Sequence, residues 1–90
     1  MYTIDRGVNK KDLIPLRQKQ IMTLEEKLGK AIVMRRREQF ISQEDFARKA
    51  GITRSYMSHI ENGKCVASIA IIEKIAKTLG ITLAELFRDL

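Results

Sequence analysis

Hydrophobic residues recur along most of this chain at spacings of three and four positions, which is the period of an amphipathic α-helix. The clearest case is the stripe Ile69, Ile72, Ile75 and Leu79, which we expect to face the core. Alternating runs typical of strands are few, and the chain has one proline and five glycines. The pattern predicts an all-α fold of five short helices, joined by loops of roughly two to five residues.

Capping residues indicate where these helices begin. Thr23 with Glu26 forms a capping-box pattern, and Thr82 with Glu85 repeats it near the end of the chain. Ser or Thr precedes the other helices, and Gly51, Gly63 and Gly80 are suited to end them. The predicted helices span about residues 23–38, 42–50, 53–62, 68–79 and 82–90.

Residues 1–22 are less periodic and hold five basic and two acidic side chains. We interpret them as a basic tail or arm that precedes a domain of residues 23–90. Three roles remain open for this tail: it contacts a neighbouring groove or phosphates, it binds a partner protein, or it is disordered. The first role would use Lys10, Lys11, Arg17 and Lys19.

Charge and composition suggest the class of partner. The chain of 90 residues has a formal net charge of +6 and a pI of about 9.8. Such a charge suggests a polyanionic partner, most often nucleic acid; the alternative is that it serves solubility alone. The sequence has no run of about 18 apolar residues, so no membrane span is predicted. Nothing marks export, so the cytoplasm is the expected location.

The sequence carries no recognisable catalytic or metal-binding pattern. His59 and Cys65 are the only residues of their types, so a zinc ligand set is not expected, and no phosphate-binding glycine motif is present. The carboxylates lie mostly at helix starts or beside basic residues. We therefore expect no enzyme activity, no cofactor and no metal, and we interpret Cys65 as an incidental loop thiol.

The predicted helices 42–50 and 53–62 are separated by a tight turn, which is helix-turn-helix spacing. At 100° per residue, Met57 and Ile60 supply the inward contact of the second helix. The outward face of this helix and its two flanks carry hydrogen-bond donors and almost no acidic residue. The donors are Arg54, Ser55, Tyr56, His59 and Asn62. Such side chains suit base edges and phosphates.

The stretch SQEDFARKAGITRSYMSHIENGK, with the later IAKTLGIT, resembles the lambda-repressor-like (Xre-type) helix-turn-helix family of bacterial and phage regulators. The resemblance covers about residues 24–90 and implies a five-helix domain that binds double-stranded DNA. The segment TRSYMSHIE is also similar to the recognition helix of restriction–modification controller proteins, so the helix at 53–62 is expected to enter the major groove.

This resemblance implies roles for individual residues. Gln43 matches a position that contacts phosphate or the outermost base, and Arg36 with Glu61 matches a structural ion pair. The positions that face the major groove are Arg54, Ser55, Tyr56, Ser58 and His59. The positions that contact the DNA backbone are Asn62 and Lys64.

Several of these residues have a structural alternative. Tyr56 could be a half-buried ring, and His59 could be a plain exposed residue. Arg35 departs from the family, which is often apolar there. For Arg35 and Arg37 a solvated helix end, where cations suit the helix dipole, is favoured over phosphate contact.

The last helix carries more apolar surface than a terminal helix needs. Two explanations compete: Leu83 and Leu86 complete the monomer core, while Phe87 and Leu90 face a second subunit. The candidate dimer interface comprises Leu83, Leu86, Phe87 and Leu90. We expect a homodimer on a palindromic operator, with protein concentration rather than a small-molecule effector as the control.

A second hypothesis is a protein-interaction module, such as an antitoxin. In that case residues 1–22 would bind a partner protein while the helical domain could still bind DNA. Genomic context and co-purification would discriminate the two hypotheses.

Overall fold

The computed structural model of this chain describes residues 22–90, and that part is all-helical, as the sequence predicts. The predicted tail therefore lies outside the described residues, apart from Met22. No helix in the described part is long and apolar enough to cross a membrane. The five helices are α1 (Leu24–Glu38), α2 (Gln43–Ala50), α3 (Arg54–Glu61), α4 (Ile69–Leu79) and α5 (Leu83–Arg88).

The capping pattern in the sequence sets the helix starts. In α1 the Thr23 hydroxyl accepts from the Glu26 amide at 3.1 Å, and the Glu26 carboxylate accepts from the Thr23 amide at 2.9 Å. The same reciprocal box joins Thr82 and Glu85 at the start of α5. Both predicted capping boxes are confirmed, and their hydrogen bonds lower the pKa of each glutamate below its ordinary value of 4.5.

All five helices contribute to one hydrophobic core. Its largest fully buried side chains are Ile32, Phe46, Met57, Ile60, Ile75 and Leu86. Each comes from the periodic positions of its helix, so burial of one stripe per helix drives the assembly. Helix α3 is thereby held between α1 and α2.

Two sequence expectations for apolar residues are wrong. Ile69 was expected on the buried stripe of α4 but is 63% exposed. It is the first residue of α4, and the buried residues of this helix begin at Ile72. Leu86 was included in the candidate dimer interface but is 0% exposed, because α5 packs this side chain into the monomer core, as the competing explanation expected.

Candidate nucleic-acid interface

The turn between α2 and α3 is compact because Gly51 adopts the left-handed conformation, with φ of 74°. That conformation is costly for residues with a Cβ atom and accessible to glycine. The next amide, that of Ile52, donates to the Ala47 carbonyl at 3.0 Å, which closes the end of α2. Ile52 also packs against the core, so the start of α3 is fixed relative to α2.

Helix α3 is attached to the domain through its inner face. Met57 is 0% exposed and Ile60 is 2% exposed. Tyr56 is half-buried and packs against the core, so part of its ring has a structural role. The N-terminus of α3 is capped by the Thr53 hydroxyl, which accepts from the Tyr56 amide at 3.0 Å.

The outer face of α3 presents polar side chains to solvent. Arg54, Ser55 and His59 are exposed, and Ser58 is half-buried. The ion pairs formed among residues 22–90 involve other arginines, so Arg54 remains available to a ligand. Just after the helix, Asn62 and Lys64 are exposed. The side-chain amide of Asn62 donates to the Ser58 hydroxyl at 3.3 Å.

The one acidic residue of α3 is turned away from this face. Glu61 accepts from Arg36 of α1 through two bonds, Nε to Oε2 at 2.8 Å and Nη2 to Oε1 at 3.0 Å. The two side chains are 9% and 4% exposed. A third Arg36 nitrogen, Nη1, donates to the Ile41 carbonyl at 2.9 Å. The expected ion pair is therefore present, and its buried geometry leaves the outer face of α3 free of acid.

Gln43 belongs to the same network rather than standing free at the surface. Its Nε2 donates to Glu61 Oε1 at 2.9 Å, and the residue is half-buried. This bond uses one of the two N–H donors of the side-chain amide, so the expected contact with phosphate or a base is compatible with it and stays a prediction. The structure adds a bond to Glu61 that the sequence did not predict, and we call the side chains of Arg36, Gln43 and Glu61 the Glu61 network.

Arg35 also differs from expectation. Its side chain remains 30% exposed at the end of α1, but its guanidinium pairs with Asp89 beyond the end of α5, which the sequence did not predict. Nη2 donates to Oδ1 at 3.2 Å, while Nε donates to Oδ2. This hydrogen bonding raises the pKa of Arg35 and lowers the pKa of Asp89. Arg37 is exposed, as a solvated helix end would be.

Two structural features of the loop after α1 were missed by sequence reasoning. The Gln39 side chain donates from Nε2 to the Leu79 carbonyl at 2.8 Å, which satisfies an orphan carbonyl at the end of α4. Phe40 has φ of 58° and is 95% exposed. The one sequence signal for this left-handed conformation is that Phe40 follows the C-cap residue of α1, where helices often end in that conformation.

Among residues 22–90, no group of three or more His, Cys, Asp or Glu side chains is placed to hold a metal ion. The outer face of α3 is acid-free and rich in hydrogen-bond donors, and its inner face is fixed to the core by Met57 and Ile60. Such a surface can donate hydrogen bonds to bases and phosphates.

Comparison with known proteins agrees with this geometry. The helix-turn-helix model HTH_3 matches residues 32–86, which include α2, α3 and the turn between them. The chain belongs to the HTH_3 helix-turn-helix family. It is accordingly a DNA-binding transcription regulator of the Xre type.

Relatives of this HTH_3 protein include control proteins. C.MunI, a control protein from a Mycoplasma species, is 47% identical over 57 residues, which cover 63% of this chain and 77% of the relative. The restriction–modification controller C.AhdI of Aeromonas hydrophila has a solved structure with a TM-score of 0.68. It is 35% identical, and the match covers 70% of this chain and 96% of C.AhdI.

A further solved structure contains DNA. The restriction–modification controller C.Esp1396I was crystallised as a tetramer with its natural 35 base-pair operator. It is 31% identical to this HTH_3 protein, with a TM-score of 0.69, and the match covers 76% of this chain and 90% of the controller.

Proposed function

We propose that this protein is a sequence-specific transcription regulator that binds a palindromic operator as a homodimer, with α3 in the major groove. The observation that carries the proposal is the acid-free outer face of α3. Its five proposed base-contacting residues are Arg54, Ser55, Tyr56, Ser58 and His59. Asn62 and Lys64, exposed just beyond the helix, are proposed to contact phosphates.

The electrostatics support this orientation. Glu61 would repel phosphates if it were exposed, but its charge is neutralised in the Glu61 network. Arg54 lies in the first turn of α3, where the helix dipole also favours anions, and a guanidinium pairs bidentately with guanine. The net charge of +6 adds a sequence-independent attraction to the DNA backbone.

The regulated process is proposed from the relatives. C.MunI, C.AhdI and C.Esp1396I are control or controller proteins, and the last has been crystallised with operator DNA. We therefore propose that this protein controls a restriction–modification system. Genes for a methyltransferase and a nuclease beside its own gene would support that assignment, whereas a neighbouring toxin gene would favour the antitoxin hypothesis.

Selection of bound sites from random DNA tests the proposed function directly. We expect an enriched inverted repeat whose half-sites lie about one helical turn, roughly 34 Å, apart. Arg54→Ala should then reduce discrimination between this site and random DNA by about 1–3 kcal/mol, and Ser55→Ala by less. Lys77→Ala, an exposed lysine near the end of α4, is the matched control. Failure to enrich any sequence would contradict the proposal.

The dimer is proposed to form through the exposed part of α5. With Leu86 assigned to the core, the remaining candidates are Leu83, Phe87 and Leu90, of which Phe87 is 40% exposed. Leu83 and Leu90 are half-buried against the core and would supply the edges of the contact.

Sedimentation of two phenylalanine variants tests this interface. Phe87→Ala should weaken dimerisation, whereas Phe40→Ala removes an equally large and more exposed ring outside α5 and should leave it unchanged. A parent protein that stays monomeric at high micromolar concentration and on operator DNA would rule out the proposed dimer.

A further inference from the structure

Gly29 lies at a point where the backbones of α1 and α3 touch. It is buried, and a Cβ atom at this position would lie 2.5 Å from the carbonyl oxygens of both Ile60 and Glu61. Ordinary van der Waals contact begins near 3.4 Å. Because packed interiors have little free space, any side chain here would separate the two helices by on the order of an ångström.

A second glycine makes the same contact from the other side. Gly63, just after α3, has φ of 68°, and a Cβ atom on it would lie 2.7 Å from Cγ and 2.8 Å from Cα of Glu26. Glu26 is held in the first turn of α1 by its capping box with Thr23. The C-terminal end of α3 therefore lies on the first two turns of α1, with backbone against backbone at Gly29 and with Gly63 against the backbone and Cγ of Glu26.

This main-chain contact and the Glu61 network share one face of α1. Gly29 and Arg36 are seven residues apart, which is about two helical turns, so both point toward the end of α3. Glu61 is held twice, by its carbonyl against Gly29 and by its carboxylate on Arg36. The other end of α3 is fixed to α2 by the tight turn, so the approach to Gly29 determines the tilt of α3.

We propose that Gly29 and Gly63 are positioning residues for DNA recognition. By allowing the end of α3 to lie directly on α1, they set the tilt at which Arg54 and Ser55 would meet base edges. The proposal rests on the proposed placement of α3 in the major groove. It adds that specificity depends on two glycines, which have no side chain to read a base.

Gly29→Ala tests the proposal because alanine is the better helix former, so α1 itself gains from the change. The readout is the ratio of affinities for the selected site and for random DNA. An unfolded fraction lowers both affinities equally and cancels in that ratio. We expect the ratio to fall about tenfold, with less than about a threefold loss for random DNA, since backbone contacts carry non-specific binding.

Gly80→Ala is the matched control. Gly80 has φ of 78°, so an alanine there is strained, but no atom lies within 4 Å of the added Cβ. This variant should lower the melting temperature and leave the affinity ratio unchanged. If the ratio of affinities falls in Gly80→Ala as well, general destabilisation rather than the position of α3 reduces specificity. That result would overturn the proposal.

Residual dipolar couplings on the DNA-free protein give an independent measurement of the tilt of α3 against α1. The tilt should change in Gly29→Ala; an unchanged tilt or an unchanged affinity ratio would overturn the proposal. If Gly29→Ala does not fold, Gly63→Asn tests the same contact, because Asn tolerates the left-handed conformation while its Cβ still meets Glu26. If the parent protein selects no site, the proposed function fails, and the couplings still decide whether these glycines set the tilt.

Discussion

Adjacent arginines of α1 join it to two different helices in two different environments. Arg36 reaches Glu61 of α3, and the two side chains are 9% and 4% exposed. Arg35 reaches Asp89 beyond α5, and those side chains are 30% and 33% exposed. Each guanidinium donates two hydrogen bonds to its carboxylate, so the pairs differ in burial and not in number of bonds.

Burial makes the two pairs differ in consequence. An exposed pair competes with water and salt, and breaking it leaves two solvated charges. A buried pair cannot lose one member without leaving an unpaired charge in a poorly hydrated site. We therefore infer that the pair supporting α3 is structurally obligatory, whereas the pair at α5 is an adjustable surface contact.

The largest expected effect is that of Arg36→Ala. It leaves the Glu61 carboxylate buried without its cation, so the free energy of unfolding should fall by ~3–5 kcal/mol. Urea denaturation measures this change. The neighbouring Arg37→Ala removes an exposed guanidinium and should stay within about 0.5 kcal/mol of the parent. A loss below about 1 kcal/mol in Arg36→Ala would show that the pair is hydrated or dispensable.

A double variant sharpens this test. Arg36→Met combined with Glu61→Leu removes both charges together, and apolar replacements of buried pairs are often neutral or stabilising. We expect the double variant to recover most of the stability lost in Arg36→Ala. Failure to recover it would mean that the hydrogen bonds of Arg36 to the Ile41 carbonyl and of Gln43 to Glu61 matter more than the charge pair.

Two glutamines give the next test, with a smaller effect. Gln43 donates to the Glu61 carboxylate at 2.9 Å, and Gln39 donates to the neutral Leu79 carbonyl at 2.8 Å. Because bonds to charged groups are stronger, Gln43→Ala should cost about 1.5 kcal/mol and Gln39→Ala about 0.5 kcal/mol in unfolding measurements. Random-DNA affinity per folded molecule should be unchanged in Gln43→Ala. A clear loss there would instead support a phosphate contact by Gln43.

Local rules were sufficient to predict the five helices, whereas the lambda-repressor-like arrangement was implied by the resemblance to that family. The helical period, the two capping boxes and the glycines that end helices all depend on residues that lie close together in the sequence. The turn at Gly51 and the inward residues Met57 and Ile60 follow from the same rules, and so does the polar outer face of α3.

Contacts between distant segments were harder to predict. Arg35 and Asp89 are 54 positions apart, and nothing in the local pattern joins them. Leu86 and Phe87 both fit an apolar terminal helix, and only the packing of α5 shows that the first is buried and the second partly exposed. The close approach at Gly29 had one available signal, an isolated glycine inside a helical pattern, which usually has a packing reason.

The smallest expected effect is that of Asp89→Asn, which removes the exposed ion pair. Asp89 caps the C-terminus of α5, where the helix dipole disfavours a negative charge, so the substitution also relieves a repulsion. Hydrogen bonding from Arg35 lowers the pKa of Asp89 below its ordinary value of 3.8 in the folded protein. The pair therefore stabilises the protein above that value, and its contribution is lost as the pH falls through the lower, folded-state pKa.

Thermal unfolding of the parent and Asp89→Asn across this pH range measures the contribution of the pair. The difference in melting temperature should be small at neutral pH, shrink with added salt, and vanish in acid below the folded-state pKa. The capping-box glutamates titrate in both proteins, so their effect cancels in the difference. If Asp89→Asn destabilises the protein as much as Arg36→Ala does, burial does not distinguish the two ion pairs. The pair that supports α3 would then contribute no more to stability than the exposed pair of Arg35.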